Sequence, residues 1–340
     1  MPRTKVSGPL IISDDLDGSA GLVVERLLAR GHDAHVVECE RLASSDYSIV
    51  IDHSGGHQPC VRIIDVKAGS EYYIGSETRI LRRRPAFPTF GSESDLDPGV
   101  KSFIQAQYRN TLNMLFASEA VWMNPVGADR RFDQNKVLGS HLASRVGMEC
   151  IPTVLTDSPA AFCEAVQRFT KHGDDIAVKP TGAWSAVIDN DYESVLSLFT
   201  SRLDGSAALG MAEAVSLAPV FVQPYVDKAY ELRVTVVADE IFTCRIESQA
   251  TERTQTDWRR YDLPNTPHSP AVLDASTTSA LRSFMESSAL VYAAFDFIVT
   301  RDYRTIFVEV NPAGQFGWIE ELTGLKISDA IVDWLTAGNA

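Results

Sequence analysis

Apolar and polar positions change period along this chain, from about two residues to about 3.6 and back, and the changes divide it into short strands and helices. At the start, 10–13 reads as a strand, an acidic turn follows through Asp14, Asp15 and Asp17, and a helix is predicted over 21–29 before a second strand at 34–37. Short strands are expected near 72–74 and 80–83. Residues 87–98, rich in Pro, Gly, Ser and acids, read as a linker before a long helical pattern at 100–117. Val121-Trp122-Met123-Asn124-Pro125 marks a new unit, because Pro125 restricts the residue before it. Asp133-Gln134-Asn135-Lys136 then opens an amphipathic helix to about Arg145 that stops at Gly147. A strand at 153–155, a helix at 159–170 and a strand at 176–180 follow. The last third alternates most regularly. Strands are predicted at 220–223, 232–237 and 241–246, with Ala238-Asp239-Glu240 as a tight antiparallel connection. Helices at 278–292 and 327–335 cover that sheet. No repeat or low-complexity tract interrupts the pattern.

The order is α+β, and 340 residues exceed a usual single core, so two or three lobes around a cleft are expected. The pattern breaks suggest units at 1–120, 121–220 and 221–340. A formal net charge of -14 argues against non-specific grip on nucleic acid or an anionic membrane, both of which need a basic surface. The five cysteines (Cys39, Cys60, Cys150, Cys163 and Cys244) include no C-x-x-C pair, which fits neither a disulfide framework nor a zinc knuckle and points to a reducing cytoplasm. The apolar run Pro9-Leu10-Ile11-Ile12 is too short for a secretory or membrane segment.

Three polar side chains interrupt two apolar strands near the end: Asp296 in Ala294-Phe295-Asp296-Phe297, and Glu309 and Asn311 in Phe307-Val308-Glu309-Val310-Asn311-Pro312. A strand that buries a carboxylate without a partner incurs a large desolvation penalty. Alternation puts Glu309 and Asn311 on one face, and Asp296 joins them if the strands pair as a hairpin. Three oxygen ligands of this kind suit magnesium that also holds substrate phosphates; the alternative is a pair of half-exposed strands with solvated acids. Lys136, Lys179 and Arg233 stand within or at the ends of apolar elements. Each alone can snorkel to solvent, but together they supply the cations a triphosphate needs. Gly18 lacks the G-x-G-x-x-G spacing of a dinucleotide loop, His53 and His57 lack an H-E-x-x-H partner motif, and no G-x-S-x-G elbow occurs. The run Arg82-Arg83-Arg84 before Pro85 reads as a solvated bend.

The order of these residues resembles the ATP-grasp superfamily, in which two α+β lobes clamp ATP between sheets. The resemblance implies an N-terminal pre-ATP-grasp α/β domain, ATP and Mg2+ as cofactors, and phosphate contacts from Lys136 and Lys179, with Lys179 also near the adenine. It makes Gln223, Pro224, Tyr225 and Val226 a hinge beside the base, puts Glu231 on the ribose and Arg233 on the terminal phosphate or acyl group, and gives the metal to Asp296, Glu309 and Asn311. For Glu231 and Arg233 the bland reading is a surface ion pair along one strand.

A narrower likeness, from about Arg82 onward, is to the microviridin-type ligases, or graspetide synthetases. It is carried by Arg83-Arg84-Pro85, Trp122-x-Asn124-Pro125, Asn135-Lys136, Gln223-Pro224-Tyr225-Val226-Asp227-Lys228-x-x-Glu231-Leu232-Arg233, Ser248-Gln249, Asp257-Trp258-Arg259 and Asn311-Pro312-x-Gly314-Gln315-Phe316-x-Trp318-x-Glu320. It implies a precursor peptide with leader and core as partner, whose Asp or Glu side chains are joined to Thr or Ser hydroxyls, or to Lys amines, through an acyl-phosphate. Arg233, helped by Arg259 or Lys228, then orients the carboxylate, with Asp257 or Glu320 as the candidate base. Where many ATP-grasp enzymes carry a glycine-rich phosphate loop, this chain has only Pro180-Thr181-Gly182-Ala183-Trp184-Ser185, and Trp184 is a lid or core packing. The rival expectations are a ligase that appends an amino acid and a sensor that has lost catalysis. Exposed strand edges allow a homodimer.

Overall fold

A computed structural model describes residues 4–6, 8–14, 17–44, 46–55, 57–83, 88, 90, 94–133, 135–182, 185–187, 195–197, 199–260 and 262–337. Asp15, Arg84, Pro85, Gln134, Ala183 and Trp184, on which the sequence reading drew, lie outside them.

The chain begins with β1 (Thr4–Val6), β2 (Leu10–Ser13), α1 (Gly18–Ala29), β3 (His35–Glu38), β4 (Tyr47–Asp52), β5 (Cys60–Asp65), β6 (Ser70–Ile74), β7 (Arg79–Arg82), α2 (Pro98–Met114) and β8 (Val121–Met123). Strands β3-β2-β7-β8 form an all-parallel sheet, which is why Leu10, Ile11 and Ile12 are buried without alternation. A second sheet, β1-β6-β5-β4, is built on the antiparallel hairpins of β4, β5 and β6, and the sequence reading missed its β1, β4 and β5. Because β8 pairs with β7, the first sheet runs past position 120, so the unit expected to begin at Val121 starts inside it. Asp17 is not simply part of an acidic turn. Its carboxylate accepts the N–H groups of Ser19 and Ala20 at 3.0 and 3.1 Å, capping α1, which therefore starts ahead of position 21.

The solvated bend expected at Arg82-Arg83 is also corrected. Arg82 belongs to β7 and pairs with Asp129 at 2.8 Å. Arg83 is 1% exposed: Nε donates to Asp17 at 3.2 Å, Nη1 to the Gly314 carbonyl at 3.0 Å and Nη2 to Gln315 Oε1 at 3.3 Å, with the rings of Tyr292 and Phe316 alongside. Asn124, just after β8, makes a similar bridge. Its Oδ1 accepts the N–H groups of Val291 and Tyr292 at 2.7 and 2.6 Å, and its Nδ2 donates to the carbonyls of Tyr292 and Pro312 at 2.8 and 3.0 Å. The first lobe is thereby tied to both strands that carry the acidic trio.

There follow α3 (Val126–Phe132), α4 (Lys136–Arg145), β9 (Glu149–Cys150), β10 (Val154–Thr156), α5 (Pro159–Phe169), β11 (Ile176–Pro180), β12 (Ser185–Val187), β13 (Val195–Ser197), β14 (Ser201–Leu203), α6 (Gly205–Gly210) and β15 (Val220–Pro224). A small antiparallel sheet, ordered β10-β15-β11-β14, packs Ile176 and Val222 against Phe162, Ala165 and Val166 of α5 and Ala208 of α6. By alternation its other face carries Ala177, Lys179, Phe221 and Gln223.

The last third comprises β16 (Tyr230–Val237), β17 (Glu240–Ile246), β18 (His268–Ala271), α7 (Ala275–Ser288), β19 (Tyr292–Val299), β20 (Thr305–Asn311), α8 (Gly317–Thr323) and α9 (Ile327–Thr336). Helix α7 ends four residues earlier than the pattern suggested, at a left-handed Ala289, and Tyr292 opens a strand instead. The large sheet is ordered β18-β17-β16-β19-β20-β9 and is antiparallel except for the β20–β9 edge. One of its faces buries Leu232, Val234, Phe295, Phe297 and Phe307 against Phe132, Ala143, Leu281 and Phe284 of α3, α4 and α7. Helix α4 therefore packs on this sheet and not on the small one. Gly139 permits the approach, since a Cβ there would lie 3.0 Å from Val310 Cγ1. The opposite face of the large sheet looks across a cleft at the free face of the small one.

Candidate functional site

Strand pairing brings the three late polar residues together. Asp296 is the direct cross-strand partner of Glu309, and Asn311 lies two residues further along β20, opposite Ala294. A β-bulge contributes to this: Asp296 pairs with Glu309 but Phe297 with Phe307, so Val308 is the extra residue and both Val308 and Glu309 line the cleft. On the adjacent strand, Arg233 is the partner of Asp296 and Glu231 that of Ile298. Lys179 reaches in from β11, and Lys136 from the first residue of α4, which Asn135 caps by accepting the Leu138 N–H at 3.0 Å.

The cleft lining balances four cations (Lys136, Lys179, Lys228 and Arg259) against four acids (Glu231, Asp257, Asp296 and Glu309), and each acid has a cation of its own. Lys136 lies 2.9 Å and Arg259 3.7 Å from Glu309; Nη1 of Arg233 contacts both carboxylate oxygens of Asp296 at 3.0 and 3.1 Å. Burial would raise the Glu309 carboxyl, but Lys136 and Arg259 outweigh it and hold the group ionised well below the usual range. For Asp296 burial wins over Arg233, helped by the neighbouring Glu309 charge, and its pKa is raised. Burial pushes Lys179 down to about 8, with Lys136 and Arg259 adding to the effect and Glu309 opposing it. Among the described residues Lys179 makes no ion pair within 4.0 Å. Arg233 Nε is buried without a partner, a donor left open beside the acids.

Two carboxylates and an amide oxygen on one sheet face are a donor set that a hard divalent cation accepts. Among the described residues no three His, Cys, Asp or Glu side chains gather as a metal-holding group, so such a cation would need Asn311 as its third protein ligand. Asn311 is exposed, and its Oδ1 accepts the Ala313 N–H at 2.9 Å.

Several residues sit differently from the sequence reading. Glu231 and Arg233 do not form a surface pair along their strand: both are buried, and Glu231 is bound by Lys228 at 2.7 Å. Lys228, 4% exposed, also donates to the Thr256 carbonyl at 3.1 Å, so two of its three ammonium hydrogens are engaged and it supports Glu231. Asp257 is a poor base. Burial raises its carboxyl, but the Arg259 guanidinium, with N–H groups of Thr200 and Arg259, overcomes this and holds it far below the carboxylate range. Glu320 lies outside the cleft, where it accepts the N–H and hydroxyl of Ser328 at 2.8 and 2.6 Å. Gln223, Pro224, Tyr225 and Val226 do line the cleft; Tyr225 N donates to the Asp175 carbonyl at 2.8 Å, and the Arg202 guanidinium lies 4.1 Å from the Tyr225 ring centre.

An apolar wall of Ile151, Ala177, Ile298 and Val308 beside the hinge escaped notice. Period two from Lys179 and Asp296 points to Ala177 and Ile298, but nothing in the sequence marks the bulge that turns Val308 inward. Gly314 was quoted only as part of a motif. A Cβ there would collide with that of Ala294 and stand 2.5 Å from Arg233 Nη2. Gly314→Ala is therefore expected to cost about 1–3 kcal/mol and to displace Arg233. Urea unfolding checks this, and wild-type stability would contradict it.

No family model matches the chain, and no curated protein does. Solved structures do. The macrocyclase MdnC bound with precursor peptide MdnA, from Microcystis aeruginosa MRC, has a TM-score of 0.81 at 24% identity, covering 98% of this chain and 99% of its own. The Chryseobacterium gregarium RiPP-associated ATP-grasp ligase, in complex with ADP and a leader and core peptide, has a TM-score of 0.84 at 22% identity over 97% and 96% of the two chains. The ATP-grasp ligase PsnB, complexed with a phosphomimetic variant of a minimal precursor, Mg and ADP, has a TM-score of 0.72 at 17% identity over 99% and 100%.

Proposed function

We propose, with the ATP-grasp fold as premise, that this chain is an ATP-dependent ligase that closes rings in a ribosomally made precursor peptide. It joins Asp or Glu side chains of the core to Thr or Ser hydroxyls, or to Lys amines, through an acyl-phosphate. The observation that carries this reading is the cleft floor. Cations from three separate elements, Lys136, Lys179 and Arg233, converge on a paired Asp296 and Glu309, which is the arrangement a metal-bound triphosphate requires. Solved neighbours that hold precursor, leader or core peptides with ADP and Mg support it.

In this reading the wall of Ile151, Ala177, Ile298 and Val308 takes the flat base, and Gln223 to Val226 edge it. Glu231, fixed by Lys228, accepts ribose hydroxyls. Asp296, Glu309 and Asn311 hold Mg2+, which supplies neutralisation of phosphate charge. Arg233 offers its open Nε to a phosphate or acyl oxygen. A carboxylate is a poor acyl donor because its oxygen leaves badly. Attack of the peptide carboxylate on the terminal phosphorus of ATP releases ADP and makes phosphate the leaving group, which a hydroxyl or amine of the same peptide then displaces. Each ring costs the peptide one water.

Mass spectrometry of a Thr- and Glu-rich precursor encoded beside this chain, after incubation with ATP and magnesium, tests the proposal. Loss of one water per bond is expected. A gain equal to an amino acid would favour an appending ligase, and an unchanged peptide with no ADP would favour a sensor.

Linkage gives a pH signature. Lys179 has a free-state pKa of about 8, and a polyphosphate beside it raises that value, so the complex binds more protons than the free protein once pH approaches 8. ADP affinity is expected to be level below neutral pH and to fall as pH rises through 8, by up to about tenfold per unit. Calorimetry in buffers of different ionisation heat reads the proton uptake directly; affinity that rises through this window refutes the assignment.

A further inference from the structure

Residues 256–260 cross from the large sheet to the rim of the small one, and consecutive side chains there do different work. Asp257 is 5% exposed, and its carboxylate accepts four N–H groups. Oδ1 takes the backbone N and Nε of Arg259 at 3.1 and 2.9 Å; Oδ2 takes Nη2 of Arg259 at 2.7 Å and the backbone N of Thr200 at 3.2 Å. Trp258 is buried and packs 5.0 Å from the Trp318 ring, fixing the segment from below. Arg260 Nη2 donates to the Thr200 carbonyl at 3.1 Å, so both backbone polar groups of Thr200 are gripped. Thr200 itself immediately precedes β14, the edge strand of the small sheet.

The fork between Asp257 and Arg259 uses Nε and Nη2 and turns the remaining nitrogen, Nη1, toward the cleft, 3.7 Å from Glu309. An arginine without such a fork samples many rotamers; one held at two nitrogens presents the third in a fixed direction. We propose that Asp257 is a positioning residue that aims Nη1 of Arg259 at the phosphates of the bound nucleotide. This rests on the nucleotide reading above and gives Asp257 a role other than proton acceptor.

Binding of Mg·AMP-PNP to the full chain, followed by calorimetry, tests it. Arg259→Ala is expected to weaken binding about tenfold or more, the scale of one charge-assisted hydrogen bond. Added guanidinium is expected to restore affinity in that variant, because the Asp257 carboxylate seats the ion, whereas ammonium, which cannot fork, does not. In Arg259→Ala/Asp257→Asn guanidinium is expected to restore nothing. A merely structural Asp257 would not distinguish the two ions. Equal rescue in both variants, equal rescue by ammonium, or wild-type affinity in Asp257→Asn overturns the proposal. Should the double variant fail to fold, the contrast between the two ions in Arg259→Ala still decides. Absence of Mg·AMP-PNP binding by the wild type would instead sink the nucleotide reading itself.

Discussion

Glu309→Gln will lower magnesium-dependent ADP release in the presence of precursor peptide by about 10³-fold, while tightening the binding of ATP in the absence of metal. The two effects have opposite signs because Glu309 faces two kinds of partner. At rest it offsets Lys136 at 2.9 Å and Arg259 at 3.7 Å and stands near Lys179. Removing its charge deprives Lys136 of its ion-pair partner and leaves Arg259 with Asp257 alone, which favours a bare polyanion. The same change deletes one of two carboxylates from the proposed metal set, leaving Asp296 and Asn311. A coupled ADP assay reads the first effect and calorimetry with chelator the second. Unchanged turnover, or weaker metal-free binding, would refute the role given to Glu309.

Arg83→Met is expected to cost about 3–5 kcal/mol of stability, the largest effect of any single change away from the cleft. The guanidinium is fully enclosed, and three acceptors from distant parts of the chain depend on it: Asp17, the Gly314 carbonyl and Gln315. Truncation leaves those acceptors facing hydrocarbon. Arg83→Lys should recover only part of the loss, since one ammonium cannot span three acceptors that a planar fork reaches together. Because Gly314 and Gln315 also abut Arg233, the variant should lose nucleotide affinity under conditions where it is still folded. Denaturant unfolding and ADP binding check both parts; a change of less than about 1 kcal/mol would refute the assignment.

Strand alternation made much of the cleft legible beforehand. The runs around Asp296 and Glu309 are so apolar that their polar residues had to share a face, and they do, opposite the phenylalanine-lined core. The same rule places Ala177 with Lys179 and Glu231 with Arg233. What stayed hidden depends on contacts between remote segments. Nothing near Arg83 reveals that its partners lie at Gly314 and Gln315, and a basic run before a proline looks the same whether water or protein surrounds it. Asp17 resembled any acid in a polar turn until the helix it caps was seen. Lys228 and Asp257 fell among the reactive candidates because sequence shows charge but not the neighbour that occupies it. In the first lobe, β4 sets Tyr47, Ile49 and Ile51 toward the core at a period of two but over only six residues, and β5 carries Arg62 and Asp65 on opposite faces, which blurs its period.

The irregularity in β20 has a consequence for how this chain can change. Deleting Val308 would restore an even zigzag with Phe307 still opposite Phe297 and Glu309 still opposite Asp296, so the carboxylate would keep its place and the cleft would lose only one apolar wall residue. Position 308 can therefore vary among apolar side chains, or be lost, without separating Glu309 from Asp296. A one-residue gap at that point in a related sequence should coincide with a retained carboxylate in the place of Glu309.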